Sequence, residues 1–302
     1  MDRAYLRFVA WIGTASAIAA LAAPNFLPLL GQAVNDAFGT VFPAIPFAGL
    51  LALLFLFRWG DLRKLLMREE GLVSNPLTRL LGLGIIVSLL ALRGVTSQLV
   101  ELSGVAVVFV FYGTALVLNP LTWRMTLPYA AICAVGVAAP GILQWSLGEP
   151  LAWLSSVFSA GIVSLSGVPV VWQGTQFALQ SKTGELVTAT ITPGCSSIIS
   201  VTTFLGLLGL MHIDMGKDVF STVKLAVAGV VALTALNSAR IAILIFVGYE
   251  GGADALWSVH NWVGYALFLG FYVATLLIYP RMGGRVKSAT LSLSGASPAN
   301  IG

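Results

Sequence analysis

Three side chains in this sequence have the types needed for covalent chemistry. Cys195 follows Thr192-Pro193-Gly194 and opens an apolar run. Arg240 sits inside another such run, LTALNSARIAILIF. His260 stands near the start of a third, LWSVHNWVGYALF. A thiol, an imidazole and a guanidinium together suit acyl transfer. Cysteine supplies the nucleophile, and histidine the general acid and base. Arginine supplies a fixed positive charge for a tetrahedral oxyanion. What must be established is whether the chain can bring the three together.

The solvent of the chain comes first. Of 302 residues, 58% are hydrophobic and only 9% are charged. An average soluble domain is about 25% charged. A soluble fold of this composition would leave much apolar surface in water, so the chain belongs in lipid. This excludes a cytosolic enzyme, a disulfide-stapled secreted module and a disordered scaffold. The formal net charge of +4 does not signal nucleic acid in such a chain. Two cysteines and two histidines are too few for a disulfide framework or a clustered zinc site, so no metal and no cofactor are expected.

A helix needs about 20 apolar residues to cross the bilayer core. The sequence predicts eight spans: 8–30, 41–57, 77–92, 103–118, 126–147, 195–212, 219–249 and 256–279. Residues 151–167 are apolar as well. The expected fold is therefore an all-α polytopic membrane protein. Residues 1–287 form a single integral domain, with the candidate catalytic helices at 195–280. The tail 288–302 is small, polar and expected to be disordered on the cytoplasmic side. The basic N-terminus is read as part of the first span, not as a cleaved signal peptide.

Lysine and arginine set the orientation. With the N-terminus inside, the inner segments hold Arg3, Arg7, Arg58, Arg63, Lys64, Arg68, Arg79, Arg124, Lys217, Lys224, Arg281, Arg285 and Lys287. Only Arg93 and Lys182 fall in outer loops. Both termini are then cytoplasmic, in a cell membrane. A full crossing by 151–167 would turn the terminal basic cluster outward. That segment is therefore expected to be re-entrant or interfacial on the outer side, with a full crossing as the alternative if another segment, such as the short span 77–92, does not cross.

Residues 168–192 differ in texture. β-Branched residues, partial alternation and a Ser-Lys-Thr-Gly turn predict an extracytoplasmic β-hairpin before the sixth span. An isolated hairpin is marginal in water, so it should rest on the bundle or the membrane face.

With this orientation, Cys195, Arg240 and His260 all converge on the outer face. The Thr-Pro-Gly prelude places Cys195 in the first turn of a helix, where the macrodipole favours thiolate. Arg240 lies about 13 Å of helix in from Tyr249. It is the basic residue with no topological reason to exist, and an ionisable group inside a span is a functional candidate by default. Asn237, three residues earlier, shares its helical face and could hold the guanidinium or bridge to another helix. Glu250 and Asp254 are weaker candidates to orient His260. Cys133 and His212 read as a packing and an interfacial residue.

Blander readings stand beside these. A cysteine in a membrane helix usually packs, and His260 between Trp257 and Trp262 fits an aromatic belt. Arg240 can snorkel or pin two helices. A transporter would use Arg240 and Asn237 as a midplane site, although no pair of similar halves with broken helices is visible. A serine-type enzyme would use Ser196 or Ser197 instead. A non-enzymatic subunit of a polysaccharide export system is a further alternative.

The motifs CSSI, NSARI and HNWVG, each in its own span, resemble those of the exosortase/archaeosortase family. The stretch SGVPVVWQG to GELVTATITPGC resembles that family's β-rich segment before the nucleophile. The resemblance is specific over residues 167–264. It implies a membrane cysteine protease or transpeptidase with Cys195 as nucleophile, and with Arg240 and His260 as the other catalytic residues. Asn237 matches an asparagine that commonly precedes the arginine by three. Ser197 stands where many members have glycine, and with Ser196 it flanks the thiol. The implied partners are the lipid bilayer and exported proteins bearing a C-terminal signal: a short motif, a transmembrane helix and a basic cluster. The implied reaction is cleavage at the motif through a thioacyl intermediate. Many bacterial members accompany exopolysaccharide production.

Overall fold

A computed structural model describes residues 3–29, 31, 76–118 and 123–282. The predicted second span and the tail 288–302 lie outside these residues. Six of the described helices are long and apolar enough to cross a membrane. They are helix α1 (Arg3–Ala22), helix α4 (Val100–Leu118), helix α5 (Trp123–Leu165), helix α6 (Ile198–Met215) and the two arms of a broken helix spanning Val219–Ile278. A shorter apolar helix, α2 (Pro76–Ala91), and a single turn, α3 (Arg93–Thr96), lie between α1 and α4. The protein is a polytopic all-α membrane protein with one small sheet, and the predicted class holds.

The broken helix is what folds the C-terminal third back on itself. Gly252 has φ 82 and ψ −171, which ends one arm, α7 (219–251), and starts the next, α8 (253–278). A side chain there would also meet Glu185 Oε2, so glycine is required twice over. The far ends of the arms are tied. Lys217 Nζ donates to the carbonyls of Pro280 and Met282, each at 2.8 Å. His212 Nδ1 lies 2.9 Å from Thr222 Oγ1 and 3.3 Å from Tyr279 Oη. α7 and α8 are thus an antiparallel pair, with the hinge at one end and Tyr279 at the other.

Two expectations are corrected. Residues 151–167 were expected to form a separate re-entrant or interfacial segment. Instead α5 runs unbroken from Trp123 to Leu165 through Pro128, Pro140 and Pro150. An interior proline removes one backbone hydrogen bond and usually ends a helix. Here packing outweighs that loss. Ala152, Ala160 and Val163 are buried in one cluster with the sheet and with Ile241, Leu244 and Ile245 of α7. At 1.5 Å per residue α5 is about 65 Å long, roughly twice the hydrocarbon core. Its C-terminal part carries the sheet.

The sheet is also not a two-stranded hairpin. Strands β1 (Val170–Gln173), β2 (Gln176–Gln180) and β3 (Leu186–Thr190) form an antiparallel meander in that order. The extra turn is Gly174-Thr175, between paired Gln173 and Gln176, with Gly174 at φ 61. A polar run hid it, because the sequence shows β-branched texture on both sides. Alternation decides the faces. Phe177, Leu179 and Val187 point inward and are buried against α5, α7 and α8. Ser156 of α5 pins the first turn by donating to the Gly174 carbonyl at 2.6 Å.

Candidate active site

Cys195 is placed by strand β3. The chain leaves β3 at Thr190 and turns once through a 3-10 turn, Pro193–Cys195. Gly148 of α5 makes room for this turn, since a side chain there would meet Pro193 Cβ at 2.8 Å. The α-helix α6 begins only at Ile198. The thiol therefore does not lie in the first helical turn as expected, and the macrodipole is not its main support. A proline at 193 and a glycine at 194 favour a tight turn, which places the thiol before the helix.

A different partner acts on the thiol. The His260 side chain hydrogen-bonds Cys195 and holds its pKa down to about 7. Burial works in the opposite direction and raises it. Thr192 helps again to lower it, through a contact from Oγ1 to Sγ at 3.6 Å and through its backbone. The charge of Arg240 adds a smaller push the same way. A thiol of this kind is substantially thiolate at neutral pH.

Arg240 reaches His260 from α7 across to α8. Its Nη2 lies 3.4 Å from His260 Nε2 and 3.5 Å from the His260 carbonyl. A guanidinium only donates, so Nε2 accepts in this contact while the ring is neutral. The other face of His260 meets Trp257, with ring centroids 5.1 Å apart. Buried Gly264, one turn beyond His260, leaves the space that Arg240 fills. A Cβ at Gly264 would stand 3.0 Å from Arg240 Nε. That Nε is buried and has no partner among the described residues.

Asn237 is fully buried and bridges between elements. Its Nδ2 donates to the Cys195 carbonyl at 2.9 Å and to Ser155 Oγ of α5 at 3.3 Å. It therefore fixes the Cys195 backbone to α7 and α5, and does not hold the guanidinium. Ser159 extends the same seam by donating to the Ser238 carbonyl at 3.0 Å. The serines beside the thiol are occupied elsewhere. Ser196 Oγ donates to the Pro193 carbonyl at 2.6 Å, and Ser197 Oγ lies 3.3 Å from Thr234 Oγ1. Both are buried. Their hydroxyls shape the turn and its junction with α7.

The structure thus brings Cys195, Arg240, His260 and Asn237 together. It sends Glu250 elsewhere. Lys182, in the β2–β3 turn, pairs with Glu250 at 2.6 and 2.8 Å. The Lys182 amide also donates to the Tyr249 carbonyl at 2.8 Å. These contacts clamp the sheet to the α7–α8 hinge. Sequence reasoning missed Ser155 and Gly264 and read Thr192 only as part of the prelude to the helix. Among the described residues, no group of three His, Cys, Asp or Glu side chains is arranged for a metal ion.

A thiol under hydrogen bond from an imidazole, with a guanidinium on that imidazole, is an arrangement able to attack a carbonyl and shuttle a proton. No curated protein and no solved structure matches the chain. A family model described as transmembrane exosortase matches residues 34–278, which contain every residue of this site. With that match over most of its length, on a multi-pass helical scaffold, the chain belongs to the transmembrane exosortase family.

Proposed function

We propose that the protein is a membrane-embedded cysteine transpeptidase or protease that cleaves C-terminal sorting signals of exported proteins. The observation that carries this reading is the convergence of Cys195, His260 and Arg240, with Arg240 Nη2 3.4 Å from His260 Nε2 and the imidazole holding the thiol pKa down to about 7. A packing cysteine needs no such partner. Cys133, the other cysteine, sits within helix α5.

In the proposed reaction the substrate's anchor helix lies beside the bundle and its motif meets Cys195. The thiolate attacks the scissile carbonyl carbon, a C–S bond forms and the carbonyl oxygen takes the negative charge. Arg240 faces that oxyanion. Collapse breaks the C–N bond, and His260, which carries the proton released by the Cys195 thiol, gives that proton to the leaving amine and returns to the neutral ring. A thioacyl enzyme remains. His260 then takes a proton from water or from an acceptor amine, and attack by that nucleophile breaks the C–S bond. The site faces the extracytoplasmic side of the cell membrane. Lys217, Lys224 and Arg281, at the end of the bundle remote from the sheet, support this orientation.

The reading is tested by co-expressing the full chain with candidate tails made of a short motif, a transmembrane helix and a basic cluster. Mass spectrometry of the processed protein is expected to show a new C-terminus within the motif. Added hydroxylamine should appear there as a hydroxamate, because it captures a thioacyl group. Uncleaved tails across the candidate set would overturn the reading.

Gly264 supplies a second test. Alanine is the better helix former by about 1 kcal/mol. Yet its methyl would press on Arg240 Nε from 3.0 Å. Gly264→Ala is expected to keep or raise the thermal midpoint in detergent while lowering processing about tenfold or more, since small displacements of a catalytic group are costly. A variant that loses both in parallel would make Gly264 a packing residue only.

A further inference from the structure

Among the described residues, the β3 edge of the sheet pairs with no further strand, and it runs into the nucleophile. Two backbone bonds bracket the β2–β3 ladder: Ser181 N–H to the Glu185 carbonyl at 2.8 Å, and Ile191 N–H to the Thr175 carbonyl at 2.9 Å. Between them the register pairs Leu179 with Val187 and Phe177 with Ala189. In an antiparallel ladder these alternate positions turn their N–H and C=O toward the partner strand. Leu186, Thr188 and Thr190 therefore turn theirs to the opposite edge, away from β2. All three residues are exposed, Leu186 to 70%. A bare edge of this kind is a template for pairing with another chain.

We propose that the outer edge of β3 binds the extended motif of the substrate by strand addition, through the backbone groups of Thr188 and Thr190. This rests on the cysteine-transpeptidase reading of the site. Position selects β3 over β1. β3 leads into the turn that ends at Cys195, so a peptide paired at Thr190 lies one strand spacing, about 4.8 Å, outside the strand feeding the thiol. The edge of β1 is two strands further away. The chemistry also fits. The occupant must be an extended peptide, because the group to be attacked is a backbone carbonyl. Backbone pairing supplies affinity without reading side chains, and residues alternating along the motif are free to specify it. The inner face of the sheet is buried on the helices, and the clamp from Lys182 to Glu250 holds the edge in register with the site.

The test uses proline, which removes one N–H and fixes φ near the extended range. At 188 and 190 the lost N–H is not a bond to β2, and edge strands accept proline there. C-termini of exported proteins are read by mass spectrometry in cells expressing the full chain or its Thr188→Pro/Thr190→Pro variant. The yield of Cys195-dependent C-termini is expected to fall about tenfold or more, two net backbone hydrogen bonds each being worth a few-fold. Iodoacetamide labelling of Cys195 at pH 7 reports whether the site itself is intact. Should the prolines disturb the fold, cross-linking decides. A photo-cross-linker at Thr188 in a Cys195→Ala background is expected to capture the uncleaved tail, and one at Val171 on β1 is not. Undiminished cleavage by an intact proline variant, equal capture from both strands, or capture from Thr188 only of a second copy of this chain would overturn the edge assignment alone. A parent protein that yields no Cys195-dependent C-termini would overturn the reading of the site, and the edge with it.

Discussion

Cys195→Ala abolishes formation of the new C-terminus, and His260→Ala lowers its rate about 1000-fold, in the middle of the range for loss of a general acid–base. The pair also predicts a pH signature that needs no substrate. With its pKa near 7, the thiol of the parent protein is about half ionised at neutral pH. Its alkylation by iodoacetamide rises with pH through about 7 and levels off above it. Without His260 the largest lowering influence is gone, burial still opposes ionisation, and the midpoint moves up toward the ordinary value of 9. The thiolate fraction at pH 7 then falls by roughly 50-fold. The less acidic thiol is intrinsically more nucleophilic, so the measured alkylation rate at pH 7 drops by only about five- to tenfold. The midpoint, more than the rate, is the decisive quantity. The stability linkage has a definite sign as well. The folded state favours the thiolate, so this contribution is complete above pH 9 and is lost as pH falls through about 7. An alkylation midpoint unmoved in His260→Ala would separate the imidazole from the thiol.

What could be read in the sequence depended on rarity. In a chain only 9% charged with two cysteines and two histidines, Cys195, Arg240 and His260 were visible as exceptions. The distribution of Lys and Arg then put them on one side of the membrane. That was enough to expect their meeting, and the folded chain brings them within contact of one another. Ser155, Thr192 and Gly264 gave no such signal. Serine, threonine and glycine are abundant in membrane helices, and their roles arise only from contacts between distant segments. Gly264 matters because Arg240 crosses above it, which no local pattern records. The same holds for α5. Its prolines argue locally for a break at 150, while buried Ala152, Ala160 and Val163 hold the helix together through tertiary packing. The extra strand escaped for another reason: Gln173 and Gln176 look like a polar loop, and Gly174 alone marks the turn.

Arg240→Met separates the two roles open to an arginine inside a span. If the guanidinium is mainly a pin between α7 and α8, its loss should loosen the hairpin and lower activity only as far as the fold is lost. The contacts argue otherwise. Its hydrogen bonds to His260 are long, 3.4 and 3.5 Å, and Nε is buried without a partner among the described residues. The far end of the hairpin is held independently, by Lys217 on the Pro280 and Met282 carbonyls. An arginine at the centre of a span costs about 3 kcal/mol to insert, and replacing a buried charge by an apolar side chain of similar size is often neutral or stabilising. Arg240→Met is therefore expected to melt in detergent at or above the temperature of the parent protein. Processing should nevertheless fall about 100- to 1000-fold, the loss that follows removal of one oxyanion donor. Arg240→Lys should recover only part of this, since a point charge replaces a planar fork. The alkylation midpoint of Cys195 should rise slightly in both variants or not at all, because Arg240 is the smallest of the influences lowering that pKa. A large loss of processing with stability kept and the thiol little changed assigns Arg240 to the transition state. A loss that tracks the melting temperature would return it to the scaffold.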